Sequence, residues 1–147
     1  MPIPDFRADG LLPEGVHEAT WEEIRACYGW NPTRVEILRK LELAVQHFKQ
    51  AGCRTMHING SFVTNKDEPG DFDACWDNTG VKAELIDPVL LDQSRKGRDA
   101  IWNKYGGDIK PDMASPEGSI QTYVKFFQKS RDGVLKGIIR LNLKDYP

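Results

Sequence analysis

The sequence predicts an α/β (α+β) fold, in which a small mixed β-sheet carries helices mainly on one face. One early segment has apolar residues at spacings of three and four, as an amphipathic helix does. Later segments are short and apolar or alternate polar with apolar residues, as strands do. The 147 residues, 39% of them hydrophobic and 29% charged, are expected to form a single globular domain, residues 1–147.

The N-terminal part of the chain contains clear helix signals. Residues 1–19 are expected to be an extended N-terminal segment, because their prolines and glycines disfavour a long helix. Thr20–Glu23 is a capping-box pattern, which predicts a short helix ending near Tyr28. Asn31-Pro32 begins a second helix of about five turns, which Gly52 ends. The predicted buried stripe of this second helix contains Val35, Ile37, Leu38, Leu41, Ala44, Val45 and Phe48.

The remaining elements follow from shorter patterns. Strands are predicted at residues 53–59, 71–76, 81–86, 108–112 and 134–143. Helical spacing of apolar residues predicts a helix at 94–105 and a helix or mixed segment at 119–129. In the helix at 94–105, the side chains of Ile101, Trp102 and Tyr105 are expected to face the core.

The most informative local pattern joins a Gly-Ser pair to two aspartates. Gly60 and Ser61 end an apolar run, nine residues follow, and Asp71-Phe72-Asp73 comes next. Carboxylates at positions i and i+2 of a strand share one face, where they are suited to hold Mg²⁺. A glycine lets backbone N–H groups approach a phosphate closely. The pattern therefore predicts a phosphate site beside a metal site.

This pattern resembles the signature of the nucleotidyltransferase superfamily with a DNA polymerase β-like catalytic core. More narrowly, residues 60–66 and 69–73 look like a family of small, mostly uncharacterised bacterial and phage nucleotidyltransferase-like proteins. Residues 10–17, 126–128 and 136–138 also resemble that family, so the similarity covers most of the chain. The sequence departs from the superfamily at Asn59, where an apolar residue is usual, and at Ala74.

The resemblance implies a function and a set of site residues. The protein would transfer NMP from an NTP to an acceptor hydroxyl, with Mg²⁺ or Mn²⁺ held by Asp71, Asp73 and a third carboxylate. Asp108 is the favoured third ligand, and Asp112, Glu84, Asp87 or no third ligand are the alternatives. The remaining site residues would hold or neutralise the triphosphate: Gly60, Ser61, Lys66 and Lys136. Trp76, at the end of the aspartate strand, is the candidate for stacking on a base.

Two other functions stay open. The chain is alternatively a catalytically silent nucleotide-binding or toxin–antitoxin module, or an interaction protein whose aspartates are structural. The net charge of −2 disfavours a long nucleic-acid duplex as substrate, although RNA, a protein or a small molecule remains as acceptor. A homo-oligomer or a cognate partner protein is expected to complete so small an enzyme. Cys27, Cys53 and Cys75 lack metal spacing, and no apolar run is long enough for a membrane, which predicts a cytoplasmic protein with reduced thiols.

Overall fold

A computed structural model describes residues 3–112, 122–130 and 132–147. Five strands and four α-helices form the described part of the chain, and four short 3₁₀ turns link them. In chain order the strands and helices are β1 (Gly15–Ala19), α1 (Trp21–Tyr28), α2 (Pro32–Gln50), β2 (Thr55–Asn59), β3 (Phe72–Trp76), α3 (Arg95–Tyr105), β4 (Gly107–Pro111), α4 (Tyr123–Phe126) and β5 (Gly137–Asn142).

The strands form one mixed sheet in the order β1-β5-β2-β3-β4. Strand β1 runs parallel to β5, and β3 runs parallel to β4. Strand β2 runs antiparallel to both of its neighbours, β5 and β3. The extended segment at residues 1–19 therefore ends in an edge strand, and the prediction of a small mixed sheet is confirmed.

The two faces of the sheet are covered differently. One face carries the large apolar core, where alternate residues of the strands, such as Met56, Ala74 and Ile139, pack against α1, α2 and α3. The opposite face is called here the open face. It is covered in part by Tyr123, Val124 and Phe127 of the α4 region. The prediction of helices mainly on one face is confirmed.

Local capping signals explain where the helices begin. Thr20 and Glu23 make the reciprocal bonds of a capping box, with Thr20 N donating to Glu23 Oε1 at 3.0 Å. Asn31 Oδ1 accepts from Arg34 N at 2.9 Å, and Pro32 is the first residue of α2. None of the helices in the described ranges is both long and apolar enough to cross a membrane.

Several sequence predictions are wrong in detail. Residues 81–86 form no strand: Ala83–Leu85 is an exposed 3₁₀ turn, since this polar stretch has no apolar face to bury against a sheet. Strand β5 begins at Gly137 rather than at residue 134. The predicted helix at 119–129 is observed as Tyr123–Phe126, and residues 119–121 lie outside the described ranges.

Three side chains also point differently from the prediction. Val35 is exposed and the neighbouring Arg34 is buried in its place. Trp102 of α3 is 46% exposed rather than facing the core. Trp76 is buried in the core on the helix side of the sheet and stacks on Phe48, with ring centroids 5.1 Å apart, so it offers no surface for a base.

Candidate active site

The centre of the candidate site is a row of polar residues across three adjacent strands. Asn59 of β2 is the register partner of Asp73 in β3, and Asp73 is the register partner of Asp108 in β4. Register partners on adjacent strands project to the same face, which here is the open face. The sheet therefore brings together Asp73 and Asp108, which lie 35 positions apart in the sequence.

The environment of Asp73 disfavours a negative charge. Burial raises the pKa of the Asp73 carboxyl to about 6, and the neighbouring carboxylates of Asp71 and Asp108 act in the same direction. The ammonium groups of Lys110 and Lys136 oppose this rise without cancelling it. A partly buried carboxylate with two acidic neighbours is a site at which an added cation would be favourable.

Two lysines compensate part of this negative charge. Lys136 lies just before β5, is buried, and donates a hydrogen bond from Nζ to Asn59 Oδ1. Burial lowers the pKa of Lys136 to about 8, against an attraction to Asp73 that raises it. Lys110 Nζ lies 2.7 Å from Asp108 Oδ2. Sequence reasoning missed Lys110, although its position two residues after Asp108 on one strand places it on the same face.

Gly60 closes the site next to Asp73. Its φ of 91° lies in the region that favours glycine. A Cβ atom at this position would lie 3.0 Å from the backbone N of Asp73 and 3.4 Å from its Oδ2. A glycine is therefore required here both by its own backbone conformation and by the close approach of β3.

Substitution of Gly60 by alanine is expected to destabilise the fold by about 1–3 kcal/mol, because it combines backbone strain with a steric contact. Gly52→Ala is the matched control: Gly52 has a φ of 87°, but nothing lies within 4 Å of an added Cβ. Urea unfolding of both variants measures the difference. Equal destabilisation of the two variants would mean that the contact with Asp73 costs nothing.

Asp71 lies one residue before β3 and contacts α3. Its Oδ2 accepts a hydrogen bond of 3.4 Å from Nε1 of Trp102. Trp102 therefore contacts Asp71 from outside the core, a contact that the helical spacing of α3 did not reveal. Asp71, Asp73 and Asp108 are together called here the acidic group. In the sequence, Trp102 looks like a core residue, because it is apolar and lies between Ile101 and Tyr105, which are both buried.

Other residues predicted for the site are placed differently. The side chain of Lys66 is exposed and forms no hydrogen bond or ion pair with any residue that the structure describes. Ser61 begins the 3₁₀ turn Ser61–Val63 directly after Gly60, and its carbonyl accepts from Thr64 Oγ1 at 2.7 Å. Both residues belong to the loop between β2 and β3.

The alternative third carboxylates lie elsewhere. Asp112 follows β4 at the end away from Asp108, where its N–H donates to Trp76 O, and burial together with Asp77 raises its pKa to about 6. Asp87 accepts a hydrogen bond of 2.5 Å from the hydroxyl of Tyr105 in α3, and Glu84 is exposed on its 3₁₀ turn. Of the four candidates, Asp108 is the register partner of Asp73.

Arg34 anchors the loop that carries Gly60, Ser61 and Lys66. Its guanidinium is fully buried and donates to the carbonyl oxygens of Tyr28, Phe62, Thr64 and Lys66 at 2.6–3.3 Å. The indole of Trp30 covers it, with 3.7 Å between Cζ and the ring centroid. The conformation of the predicted phosphate loop therefore depends on a residue of α2 that the hydrophobic pattern did not indicate.

A comparison with protein families matches a family model to residues 4–142. The chain belongs to DUF6932, a family of unknown function. The searches of curated proteins and of solved structures found no match. The DUF6932 match includes Gly60, Asp71, Asp73 and Asp108, and the family description assigns no chemistry to them.

Whether a metal ion fits this DUF6932 site depends on the ligand atoms that its side chains offer. Within the described ranges, no group of three or more His, Cys, Asp or Glu side chains is gathered to hold an ion as it stands. Asp108 Oδ1 is nevertheless a buried carboxylate oxygen without a hydrogen-bond partner among the described residues. Hard carboxylate oxygens, one of them orphaned, beside a carboxyl with a raised pKa are suited to Mg²⁺ or Mn²⁺.

Proposed function

We propose that this protein is a minimal, divalent-metal-dependent nucleotidyltransferase, which transfers NMP from an NTP to an acceptor hydroxyl. The observation that carries the proposal is the pairing of Asp73 with Asp108 on adjacent parallel strands, with Asp71 just upstream and Gly60 packed against Asp73. Paired carboxylates beside a glycine that begins a backbone turn suit a metal–triphosphate ligand.

Asp71, Asp73 and Asp108 would hold the metal ions. When bound, divalent ions neutralise phosphate charge and align the attacking and leaving oxygens in this class of reaction. Trp102 Nε1 donates to Oδ2 of Asp71, and Oδ1 of the same carboxylate would remain available to the ion. Occupancy of the site by a cation also removes the mutual repulsion that raises the pKa of Asp73.

The rest of the site acts on the triphosphate. The missing side chain at Gly60 lets β3 approach the start of the Ser61–Val63 turn closely, and the first backbone N–H groups of that turn would donate to phosphate oxygens. Lys136 holds a positive charge at the buried edge of the site, where developing negative charge on the leaving pyrophosphate is costly. Lys66 extends from the exposed loop and would neutralise phosphate only after rotating toward the site.

A specific observation favours a second candidate, a catalytically silent nucleotide-binding or toxin–antitoxin module of the same fold. Lys110 pairs with Asp108 at 2.7 Å, and Lys136 is attracted to Asp73. Two resident ammonium groups reduce the negative charge available to a metal ion. In this case the protein binds a nucleotide or a protein partner without releasing pyrophosphate.

The proposal also includes the setting of the protein. The three cysteines are free, with Cys53 and Cys75 buried and Cys27 exposed, which fits a reducing cytoplasm. The acceptor would be an RNA, a protein or a small molecule. A second copy of the chain or a cognate partner protein would complete the acceptor site.

Calorimetric titration with ATP, GTP, CTP and UTP, each with Mg²⁺ or Mn²⁺, tests the proposal. Metal-dependent binding of at least one nucleotide is expected, and Asp71→Asn/Asp73→Asn should weaken it by about 100-fold or more, taking each of the two lost ligands as worth at least about 1.4 kcal/mol. The exposed pair Asp132→Asn/Asp145→Asn carries the same change in charge and is the control.

Pyrophosphate release then separates the two candidates. Release in the presence of a cell extract as acceptor source, lost in the double variant at the site, supports the enzyme. Metal-dependent binding without pyrophosphate release supports the silent module. A wild-type protein that binds no nucleotide with either metal contradicts both.

A further inference from the structure

A cleft adjoins the acidic group on the helix side of the sheet. It lies between α2, α3 and the turn before Asp71, and its volume is about 340 Å³. Ile37 and Lys40 of α2 line it, together with Pro69, Gly70 and Trp102. Small-molecule sites have volumes of roughly 300–1,000 Å³, so the cleft is large enough for a nucleoside but not for a polymer.

Trp102 joins this cleft to the acidic group. The residue is 46% exposed, lines the cleft, and donates from Nε1 to Asp71 Oδ2. An exposed indole offers a large, rigid apolar surface on which a planar ligand can stack. The hydrogen bond fixes the ring beside the carboxylate that the proposed function assigns to the metal–triphosphate.

Trp30 provides an internal comparison. It is 43% exposed and also donates to an aspartate, with 3.1 Å between Nε1 and Asp67 Oδ1. The ring of Trp30, however, lies 3.7 Å from the guanidinium carbon of Arg34, so one of its faces is already covered. Among the described residues, no aromatic ring or cation stacks on Trp102. Its π-face is the one available to a planar ligand.

Lys40 supplies a polar group on the α2 side of the cleft, whereas Trp102 lies on the α3 side. Its aliphatic chain lies over Gly106, where a Cβ atom would come within 2.9 Å of Lys40 Cδ. Its ammonium forms no ion pair with a described carboxylate, and it is therefore available to donate to a ligand. Ring nitrogens and carbonyl oxygens of nucleobases are acceptors that match this donor.

From these observations we propose that the cleft between α2 and α3 binds the nucleobase and ribose of the nucleotide, with the base stacked on Trp102 and Lys40 donating to its acceptor edge. This inference rests on the proposed function, because Asp71 connects the cleft to the metal–triphosphate. It assigns the nucleoside to the helix side of the strand ends, while Asp73 and Asp108 would hold the metal ions, and through them the phosphates, on the open face.

The test compares two probes on three proteins by calorimetry. The probes are the Mg²⁺ complex of the nucleotide that wild type binds most tightly and Mg²⁺–tripolyphosphate, which has no base. The proteins are wild type, Trp102→Leu and the control Leu85→Ala, which changes an exposed apolar side chain that does not line the cleft, each checked for native circular dichroism. Trp102→Leu should bind the nucleotide about 5- to 100-fold more weakly, the range that stacking on an aromatic ring contributes, and tripolyphosphate as well as wild type does.

The outcomes distinguish this inference from the function on which it rests. Equal weakening of both probes in Trp102→Leu overturns the inference, because the tryptophan would then act only by positioning Asp71. Unchanged nucleotide binding in Trp102→Leu, or equal weakening in Leu85→Ala, also overturns it and leaves the metal–phosphate site intact. Wild-type protein that binds neither probe overturns the proposed function and this inference together.

Discussion

Asp73→Asn is expected to increase the free energy of unfolding at pH 7.5 by up to about 3 kcal/mol while weakening metal-dependent nucleotide binding by about tenfold or more. The gain arises because the pKa of Asp73 is about 6 in the folded protein and 3.8 in its unperturbed state. A difference of about two pKa units, at about 1.4 kcal/mol per unit, sets the size of the effect. The weaker binding arises because an amide replaces a metal ligand.

The pH dependence of stability has a definite sign. The folded protein holds the Asp73 proton more tightly than the unfolded chain does, so this group favours the folded state below about pH 4. That contribution is lost as the pH rises from about 4 to about 6, and it stays lost at higher pH. Asp73→Asn should therefore match wild type in stability near pH 3.5 and exceed it at pH 7.5.

Urea unfolding at a series of pH values measures this difference, and Asp112→Asn is its control. The pKa of Asp112 is also raised to about 6, by burial and by Asp77, but the residue lies at the other end of the β3–β4 pair. Its substitution should flatten the same pH window without affecting nucleotide binding. A variant Asp73→Asn that is no more stable than wild type at pH 7.5 would contradict the burial of a charged carboxylate at this site.

Local sequence patterns were sufficient for the starts of α1 and α2 and for the faces on which Phe72 and Asp73 of β3 lie. Capping residues at Thr20 and Asn31 fix the starts of α1 and α2 through bonds that span only three residues. The alternation in Asp71-Phe72-Asp73 correctly indicated that Asp73 leaves the core while Phe72 enters it. Both signals depend on neighbours in the chain, and for this reason a sequence is enough to predict them.

Properties that depend on contacts between distant segments were not predictable in the same way. The register that pairs Asp73 with Asp108 is set by β3, α3 and β4 packing together, which no local pattern encodes. Trp102 has the spacing of a core residue, yet Ile101 and Tyr105 fill the core below α3 and leave the indole outside. Helical spacing of apolar residues thus indicates which side chains favour burial, but the packing of the core determines whether there is space for each of them.

Arg34 is the strongest example of such a long-range role, and its substitution is expected to have the largest effect on stability. Arg34→Met should lower the free energy of unfolding by about 3 kcal/mol or more, because buried carbonyl oxygens of the 62–66 loop lose their donors. The methionine side chain fills a similar volume and has no hydrogen-bond donor. Arg34→Lys should be intermediate, since one ammonium lacks the planar fork that reaches several carbonyls.

Arg39→Met is the matched control, and urea unfolding at pH 7.5 is the measurement. Arg39 is exposed and pairs with Glu36 at 2.7 Å on the surface of α2, where such a pair contributes less than about 1 kcal/mol. Equal stability of Arg34→Met and Arg39→Met would show that the buried guanidinium does not hold the loop. If Arg34 does hold it, the loop of Arg34→Met will also be cleaved faster by proteases, because its backbone is then released from α2. The position of Gly60 and Ser61 relative to Asp73 depends on the same anchor. For this reason Arg34, a buried arginine without a carboxylate partner in the described ranges, belongs to the candidate site as much as the carboxylates do.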